Sequence, residues 1–244
     1  MTDSGTTLVT GASGFIGQHL VAQLGALQLD VAQMTSRGVI CADGRSRDWS
    51  GPPTPADIIA SIEEVRPARV FHLATHFVGT HMIADIRPLV NANVEFGVAV
   101  AEGATRVGAT LTYASSAWQR YMGLADSISL YAAMKEAYSR ILDYYEGVRA
   151  LNVREVFLFD TYGPRDRRGK IVSRLMEAAR SQAVVRLGSP EKLINLTYVD
   201  DVVAGILKVS ATSGHGRDFV IREPTSIQLS QLADAVSQAA DQPL

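Results

Sequence analysis

Three glycines near the start of the chain have the spacing of a loop that binds phosphate groups. Gly11, Gly14 and Gly17 stand in the segment TGASGFIG, which follows a short apolar run at residues 6–10 and precedes an amphipathic pattern at 18–28. The first glycine permits a tight turn out of a strand, the second lets the backbone approach a pyrophosphate, and the third lets the helix pack closely on the sheet. A helix that starts here also offers free N–H groups and a partial positive charge. The motif lies between a predicted strand and a predicted helix, so it predicts a dinucleotide-binding loop.

The end of the second predicted strand, residues 31–35, bears on which dinucleotide binds. The strand continues into Ser36 and Arg37 without a carboxylate. An NAD site usually has Asp or Glu there to hold the ribose 2′-OH, whereas an arginine accommodates the 2′-phosphate of NADP. Arg37 with Ser36 beside it favours NADP(H), NAD(H) stays possible, and the alternative is that Arg37 is a solvated loop cation. The residues expected to contact the dinucleotide along this edge are Gly11, Ser13, Gly14, Phe15, Ile16, Gly17, Ser36, Arg37, Leu73, Ala74 and Thr75.

A tyrosine and a lysine farther along the chain could carry acid–base chemistry. Tyr131 and Lys135 lie four residues apart at the start of a predicted helix, so they share one face. A phenol with a pKa near ~10 is a poor acid or base at neutral pH, and a neighbouring ammonium lowers that pKa. Ser116, just past a predicted strand at 110–114, could polarise a reacting carbonyl. Taken alone, the pair is more typical of a surface lysine and a half-buried core tyrosine.

The elements that must position these residues alternate between strands and helices. Strands are predicted at 6–10, 31–35, 39–42, 69–74, 110–114 and 153–159, and helices at 18–28, 57–65, 88–107 and 131–148. Because no hairpin signal interrupts the alternation, we expect an α/β fold, a doubly wound parallel sheet of the Rossmann type with helices on both faces. Right-handed crossovers then bring the carboxyl ends of the strands to one edge, where ligands bind.

The pattern changes after Gly163. Further helices are predicted at 171–182, 200–211 and 229–240, and short strands at 184–187 and 218–222. Asp200 and Asp201 are expected to cap the helix that follows them rather than to act as a catalytic pair. We therefore predict a dinucleotide-binding domain at residues 1–162 and a small substrate-binding region at 163–244, interleaved with the last sheet elements.

Composition bounds the possible partners. The 244 residues carry a formal net charge of −2, which gives no reason to expect nucleic acid or a membrane surface. Cys41 is the single cysteine, so no intramolecular disulfide forms. No signal peptide or membrane span is recognised, and we expect a cytoplasmic protein. His72, His76 and His81 are clustered, but their spacing fits no helical metal pair, so no metal site is predicted.

Six motifs make the functional interpretation specific. TGASGFIG, FHLAT, YASSAW, YAAMK, FDTYGPRDRR and YVDDVV, in this order, resemble the extended short-chain dehydrogenase/reductase superfamily over nearly the whole chain. The resemblance implies a catalytic triad of Ser116, Tyr131 and Lys135, with Ser115 the less favoured hydroxyl and with Tyr131 and Lys135 also contacting the cofactor. It further implies that Asn93 helps to hold the active-site turn beside the cofactor, the alternative being a surface asparagine.

The resemblance also narrows the chemistry. Dehydratases of this family carry an Asp-Glu pair directly after the catalytic hydroxyl, and Ala117-Trp118 stands here instead, which disfavours 4,6-dehydration. The C-terminal region is shorter than is usual in the family, so a small, open substrate site is expected. The surrounding motifs most resemble reductases of 4-keto-6-deoxy sugar nucleotides, such as the abequose and paratose synthases. The leading expectation is therefore NADPH-dependent reduction of a keto group on a nucleotide-activated sugar. The alternatives are a nucleotide-sugar epimerase with tightly bound NAD and a non-catalytic dinucleotide-sensing protein.

Residues for the substrate are predicted in three places. Trp118, Gln119 and Tyr121 are expected to shape the sugar pocket, although they could instead anchor a hydrophobic loop. Arg165 and Arg168 belong to a basic cluster, with Arg167 and Lys170, that is either a clamp for the substrate diphosphate or a solvated loop. Asn195 is expected to touch the nucleotide. A homodimer through the two long helices, 88–107 and 131–148, is the expected assembly.

Overall fold

The computed structural model describes residues 5–119, 127–212 and 216–240, and its largest sheet has eight strands in the order β11-β7-β6-β5-β1-β2-β3-β4. The strands are β1 (Thr7–Thr10), β2 (Val31–Thr35), β3 (Gly38–Ile40), β4 (Ser46–Asp48), β5 (Arg69–His72), β6 (Thr110–Ser116), β7 (Val153–Leu158), β8 (Asp160–Tyr162), β9 (Leu193–Ile194), β10 (Leu196–Tyr198), β11 (Asp218–Ile221) and β12 (Ile227–Gln228). The helices are α1 (Phe15–Ala26), α2 (Pro55–Val65), α3 (Ile86–Val90), α4 (Phe96–Val107), α5 (Leu130–Arg149), α6 (Ile171–Ser181), α7 (Val199–Ser210) and α8 (Leu229–Ala240).

The six central strands are parallel, which confirms the predicted doubly wound sheet. β1 pairs in parallel with both β2 and β5, so the strand order reverses beside β1. At that point Thr10, the last residue of β1, stands opposite His72, the last residue of β5. The loops that leave these two strands therefore diverge, and they open the cleft in which ligands of such sheets bind.

One edge of the sheet is antiparallel, which the alternation of strands and helices in the sequence did not indicate. β2, β3 and β4 follow one another as two tight hairpins. The first hairpin turns at Ser36 and Arg37, and β3 then begins at Gly38, whose φ is +153° and where a Cβ would lie 2.2 Å from the Arg47 carbonyl oxygen of β4. The Arg37 N–H donates to Thr35 Oγ1 and closes the same turn. Gly38 thus permits a close approach of the two strands that a bulkier residue would block.

The core lies on both faces of the sheet because alternate strand residues point to opposite sides. Leu8 and Val70 belong to one fully buried cluster, which contains side chains of α2, α4 and α5. Val9 and Phe71, their neighbours along the strands, belong to the other cluster, with side chains of α1 and α7. The two layers of helices hold the strand ends rigidly in place.

Several helix and strand predictions need correction. The helix predicted at 88–107 is α3 and α4 joined by one π-helical turn, Asn91–Glu95. The strand predicted at 184–187 is not present, and Val184 is 87% exposed, so no packing partner supports an extended segment there. Asp200 and Asp201 lie in the first turn of α7, where carboxylates favour the helix dipole, but the N-cap is Tyr198 and it has no side-chain cap. None of the described helices has both the length and the apolar character to cross a membrane.

Candidate active site

A cavity of about 680 Å³ opens at the carboxyl edge of the sheet. Its wall is formed by the glycine loop, the ends of β2 and β6, the first turns of α5, and segments that follow β5 and β7. Fifteen of the residues predicted from sequence line it: Gly11, Ser13, Gly14, Phe15, Ile16, Gly17, Ser36, Leu73, Ala74, Thr75, Ser116, Trp118, Tyr131, Lys135 and Arg168. Residues from widely separated parts of the chain thus meet in one cleft.

The glycine loop has the tight geometry that a dinucleotide requires. Gly11 has a φ of +68°, and a Cβ there would lie 2.7 Å from the Ala74 amide nitrogen. A Cβ on Gly17 would lie 2.1 Å from the Gly11 carbonyl oxygen. The N-cap of α1 is Gly14, which offers no side-chain cap, so the N–H groups of the first turn face the cleft as donors for an anion. The residues present therefore fit the pyrophosphate of a dinucleotide.

The end of the cavity beside β2 contains no carboxylate among its lining residues. Met34, Thr35 and Ser36 form this part of the wall. The two carboxylates that do line the cavity, Glu95 and Asp160, come from other segments. Arg37 is exposed and lies one residue beyond the lining segment.

Tyr131 projects from the first turn of α5 into the cavity and is 8% exposed. Its ring packs edge-on against Phe77, with centroids 5.0 Å apart. Burial raises the pKa of Tyr131 above its ordinary value, and the neighbouring side chains of Thr75 and Ser116 oppose the rise by hydrogen bonding to the phenol oxygen. The structure therefore differs from the simple expectation of a lowered pKa, and it gives a phenol that keeps its proton at neutral pH.

Lys135 lies one helical turn after Tyr131 and is 2% exposed. Its Nζ donates to the Ala114 carbonyl oxygen at 2.9 Å and lies 4.6 Å from the centre of the Tyr113 ring. Burial lowers the pKa of Lys135 to about 7, and the charge of Glu155 acts in the opposite direction. A lysine with this pKa changes its charge near neutral pH, so a small further shift of the pKa alters the charged fraction of Lys135.

The two serines at the end of β6 have separate roles. Ser116 lies in the cavity wall with Tyr131, and its Oγ accepts a hydrogen bond from the Trp118 N–H at 3.2 Å. Ser115 donates instead to the buried Glu155 carboxylate at 2.6 Å. Ser116 is therefore the hydroxyl placed beside the phenol, and Ser115 belongs to a polar network behind it.

Asn93 lies in the π-helical turn and is 3% exposed. Its Oδ1 accepts from the Thr75 hydroxyl at 2.6 Å and from the His76 N–H at 3.1 Å. Its Nδ2 donates to the His76 carbonyl oxygen at 2.9 Å. Asn93 is thus a buried anchor for the segment after β5, and it holds Thr75, which lines the same cavity as Tyr131.

The wall of the cavity opposite the glycine loop combines aromatic rings with paired charges. Only some of its residues were predicted from the sequence. Trp118 and Phe77 meet edge to face, with centroids 5.5 Å apart. Lys170 Nζ lies 4.6 Å from the centre of the Phe77 ring and donates to Asp160 at 2.8 Å. The Arg168 guanidinium lies 4.3 Å from the centre of the Phe15 ring. Phe77 and Asp160 were not predicted, because only the tertiary fold brings them beside Trp118.

Four residues predicted at the site are placed elsewhere or lie outside the described chain. Gln119 is 2% exposed and bonds beneath the cavity wall to Ser116 and Ser139. Asn195 is 7% exposed and holds the backbone of residues 223–225. Arg165 is exposed in a turn with φ +66° and does not line the cavity. Tyr121 lies outside the described residues.

His72 is a core residue of the strand that faces the glycine loop. Its Nδ1 is 2.8 Å from Thr10 Oγ1, and its ring stacks on Tyr113 with centroids 5.5 Å apart. Burial, with the charge of Lys135 as a smaller cause, lowers the pKa of His72 to about 3. The imidazole is therefore neutral at physiological pH, and it ties β1 to β5 below the cavity.

Comparison with known proteins identifies a family and several relatives. The sequence profile of the NAD dependent epimerase/dehydratase family matches residues 7–221. CDP-abequose synthase of Yersinia pseudotuberculosis is 27% identical over 117 residues, which are 47% of this chain and 41% of that protein. UDP-glucose 4-epimerase of Mycolicibacterium smegmatis (strain ATCC 700084 / mc(2)155) is 26% identical over 262 residues, with 97% of this chain and 83% of that protein covered.

Among solved structures, the UDP-glucose 4-epimerase of Thermus thermophilus, in complex with NAD, has the same fold. It superposes with a TM-score of 0.79 and 23% identity, and the match covers 98% of this chain and 84% of that one. The shared fold extends over almost the whole chain, and it includes the sheet edge at which the cavity opens.

Proposed function

The chain belongs to the NAD dependent epimerase/dehydratase family, and on that premise we propose that it reduces a keto group on a nucleotide-activated sugar with NADPH. The observation that carries the proposal is that Ser116, Tyr131 and the buried Lys135 line one cavity, which they share with the glycine loop. Family membership makes the chain an enzyme with NAD-dependent chemistry of the oxidoreductase type. The choice of reduction, of NADPH and of the sugar is the proposal.

The protein groups suit a proton transfer coupled to hydride transfer. A bound nicotinamide would supply the hydride. Tyr131, which keeps its proton at neutral pH, donates that proton to the oxygen of the ketone as negative charge develops there. The Ser116 hydroxyl donates a hydrogen bond to the same oxygen, in a cavity whose wall includes the apolar rings of Phe77 and Trp118. Lys135 holds the ribose of the nicotinamide and favours the phenolate that remains after the transfer.

The substrate region is proposed to be residues 163–244 with the wall opposite the glycine loop. Trp118 and Phe77 offer aromatic faces to the apolar side of a sugar ring, and Asp160 and Lys170 offer an acceptor and a donor to its hydroxyls. Arg168 supplies a positive charge for a diphosphate beside Phe15. The relatives named above carry CDP-linked or UDP-linked sugars in their names, which supports a nucleotide sugar as the substrate class.

An epimerase is the second candidate, and the relative that matches 97% of the chain favours it. Such an enzyme oxidises and re-reduces one carbon with retained NAD, so it consumes no cofactor. The purified protein distinguishes the two: it is analysed for bound NAD after acid release and then assayed with NADPH and nucleotide-linked 4-keto-6-deoxy sugars. Stoichiometric consumption of NADPH supports the reductase. Copurified NAD with no net consumption of NADPH contradicts it and identifies an epimerase.

The cofactor preference leads to a prediction for Arg37. Replacing Arg37 with alanine should raise the Kd for NADPH by about tenfold, because a charge-assisted contact with the 2′-phosphate is lost. The Kd for NADH should change by less than about twofold, since NADH has no phosphate there. Both constants can be measured by titrating the nicotinamide fluorescence. Arg186→Ala, at another exposed loop arginine, is the control, and equal weakening of both cofactors by Arg37→Ala would count against the NADP preference.

A homodimer through the two long helices is proposed from their exposed apolar side chains. α3 packs beside α5, and Val90, Tyr144 and Val148 are 36%, 49% and 68% exposed on these helices. Val148→Glu should convert the dimer to a monomer in light scattering coupled to gel filtration, because a charge would be buried in the interface. Val184→Glu, at an apolar residue that is 87% exposed in a loop, should leave the mass unchanged. A wild-type protein that elutes as a monomer would refute the proposal.

A further inference from the structure

A buried carboxylate lies behind the active-site strand, and the chemistry proposed above does not use it. Glu155 is in the middle of β7 and is 1% exposed. It stands opposite Tyr113 of β6, so its side chain is on the same face of the sheet as Tyr113 and Ser115. Burial of a charge is unfavourable unless the charge is paired and hydrogen-bonded. The groups that contact Glu155 therefore indicate which parts of the structure its charge affects.

Glu155 is paired with Arg217, which precedes β11. Arg217 Nη2 donates to Glu155 Oε2 at 2.9 Å and to the Ser139 carbonyl oxygen at 2.6 Å. The other Glu155 oxygen accepts from the hydroxyls of Ser115, at 2.6 Å, and Ser139. Both carboxylate oxygens are thus occupied by donors from three separate elements of the fold.

The same network reaches the turn that carries Ser116. Gln119 Oε1 accepts from the Ser116 N–H at 2.9 Å and contacts the Ser115 hydroxyl. Gln119 Nε2 donates to Ser139 Oγ at 3.0 Å. Glu155, Ser139 and Gln119 therefore connect the start of the Ser116 turn to the body of α5, on which Lys135 stands one turn before Ser139.

Lys135 is the second catalytic group that the carboxylate affects. Around Lys135 the titratable or charged groups are His72 from β5, Tyr113 from β6, Glu155 from β7, and Tyr131 and Tyr138 from α5. Glu155 is the member of this set that attracts the lysine charge, while burial disfavours it. Arg217 lies on the other side of Glu155, with Asp143 and Glu146 at its rim.

We propose that Glu155, held by Arg217, is a positioning residue that fixes the Ser116 turn and keeps Lys135 protonated during the reaction. The proposal deepens the proposed function, and it rests on that function for the roles of Ser116 and Lys135. It assigns to a strand residue outside the cavity an effect on two groups inside it. It also implies that Arg217, in the segment before β11, affects the active site at the carboxyl end of the sheet through its pairing with Glu155.

The test uses Glu155→Gln in the full chain, because glutamine keeps the shape and an acceptor but removes the charge. Lys135 is titrated directly by competitive acetylation with acetic anhydride across pH 5–10, read at the Lys135 peptide by mass spectrometry. The midpoint should fall by about one pH unit relative to wild type, since the opposite charge is gone. Glu146→Gln removes an exposed carboxylate 3.6 Å from the same arginine, and it should leave the midpoint unchanged.

A double variant separates the effect of the Glu155 charge on the Lys135 midpoint from its effect on Tm. Glu155→Gln/Arg217→Gln removes both members of the pair, so it should restore the Tm that Glu155→Gln lowers by removing the buried partner of Arg217. The Lys135 midpoint should stay shifted in the double variant, and the alkaline limb of kcat/KM should move to lower pH with it. If the midpoint returns to the wild-type value when Tm is restored, or never moves, Glu155 is only structural and the proposal is overturned. The acetylation readout needs no turnover, so it remains decisive even where no substrate of the proposed class reacts.

Discussion

Replacing Tyr131 with phenylalanine is expected to lower kcat by about 1000-fold while the fold and the binding of the cofactor are retained. The substitution removes one oxygen from the cavity wall and leaves the ring in its edge contact with Phe77. That oxygen belongs to the cavity wall that also contains Ser116 and Thr75, and it is the group proposed to deliver the proton. Rates can be measured from NADPH consumption with a nucleotide-linked keto sugar, and cofactor binding from nicotinamide fluorescence.

Tyr145→Phe is the matched control because Tyr145 is on the same helix. Its hydroxyl lies 3.3 Å from Glu102 and is not part of the cavity wall. Its removal should change kcat by less than about twofold, as is usual for sites away from the chemistry. If Tyr131→Phe keeps more than about a tenth of the wild-type rate, Tyr131 is not the proton donor. A biological output that is unchanged in Tyr131→Phe would favour the non-catalytic, dinucleotide-sensing alternative.

Gly17→Ala is the substitution with the largest expected effect on stability. The new Cβ would lie 2.1 Å from the Gly11 carbonyl oxygen and 2.9 Å from the Ala12 Cα, so the backbone of the loop must move. We expect the free energy of unfolding to fall by on the order of 3 kcal/mol, at the upper end of the usual effect of overpacking. The affinity for the dinucleotide should fall by more than about tenfold, because the displaced loop can no longer approach the pyrophosphate closely.

Gly25→Ala, in the same helix, is expected to have the opposite effect on the free energy of unfolding. A Cβ at Gly25 has no neighbouring atom within 4 Å, and the site is exposed. Alanine there should raise the free energy of unfolding by about 0.5–1 kcal/mol, since glycine is unfavourable inside a helix. Urea denaturation of both variants measures the difference. Similar stabilities for the two variants would mean that close packing of α1 on the loop is not what requires Gly17.

The parallel part of the fold could be predicted because its signals are local. Apolar runs such as TLVT become buried strands, and Gly11, Gly14 and Gly17 lie at the predicted turn. The antiparallel edge gave no comparable signal. β4 is three residues long and fully exposed, so its sequence shows neither an apolar run nor an alternation. Its pairing with β3 depends on the close approach of the two strands at Gly38 and not on hydrophobic patterning.

In the candidate site, too, residues with local sequence signals could be predicted, whereas contacts between residues far apart in the chain could not. Ser116, Tyr131 and Lys135 were recognised by spacing and resemblance, and the structure brings them into one cavity, although their catalytic roles stay predictions. Gln119 was expected in the sugar pocket, but its amide satisfies the buried N–H of Ser116 instead. A carboxylate inside the apolar strand VREVFL was a visible sign of a buried network. Its partner Arg217 is 62 residues away, and only the fold shows that they meet.

The π-helical turn at Asn91–Glu95 has a consequence for how this protein could be stabilised. In this turn the Phe96 N–H donates to the Asn91 carbonyl oxygen, five residues back, so it contains one residue more than a regular α-turn. Deleting one residue would restore regular hydrogen bonding along the helix. It would also rotate the helix on one side of the deletion by about 100° and turn Asn93 away from Thr75 and His76. The irregular turn is therefore a place where regular backbone hydrogen bonding and the buried contacts of one side chain make opposite demands on the same helix.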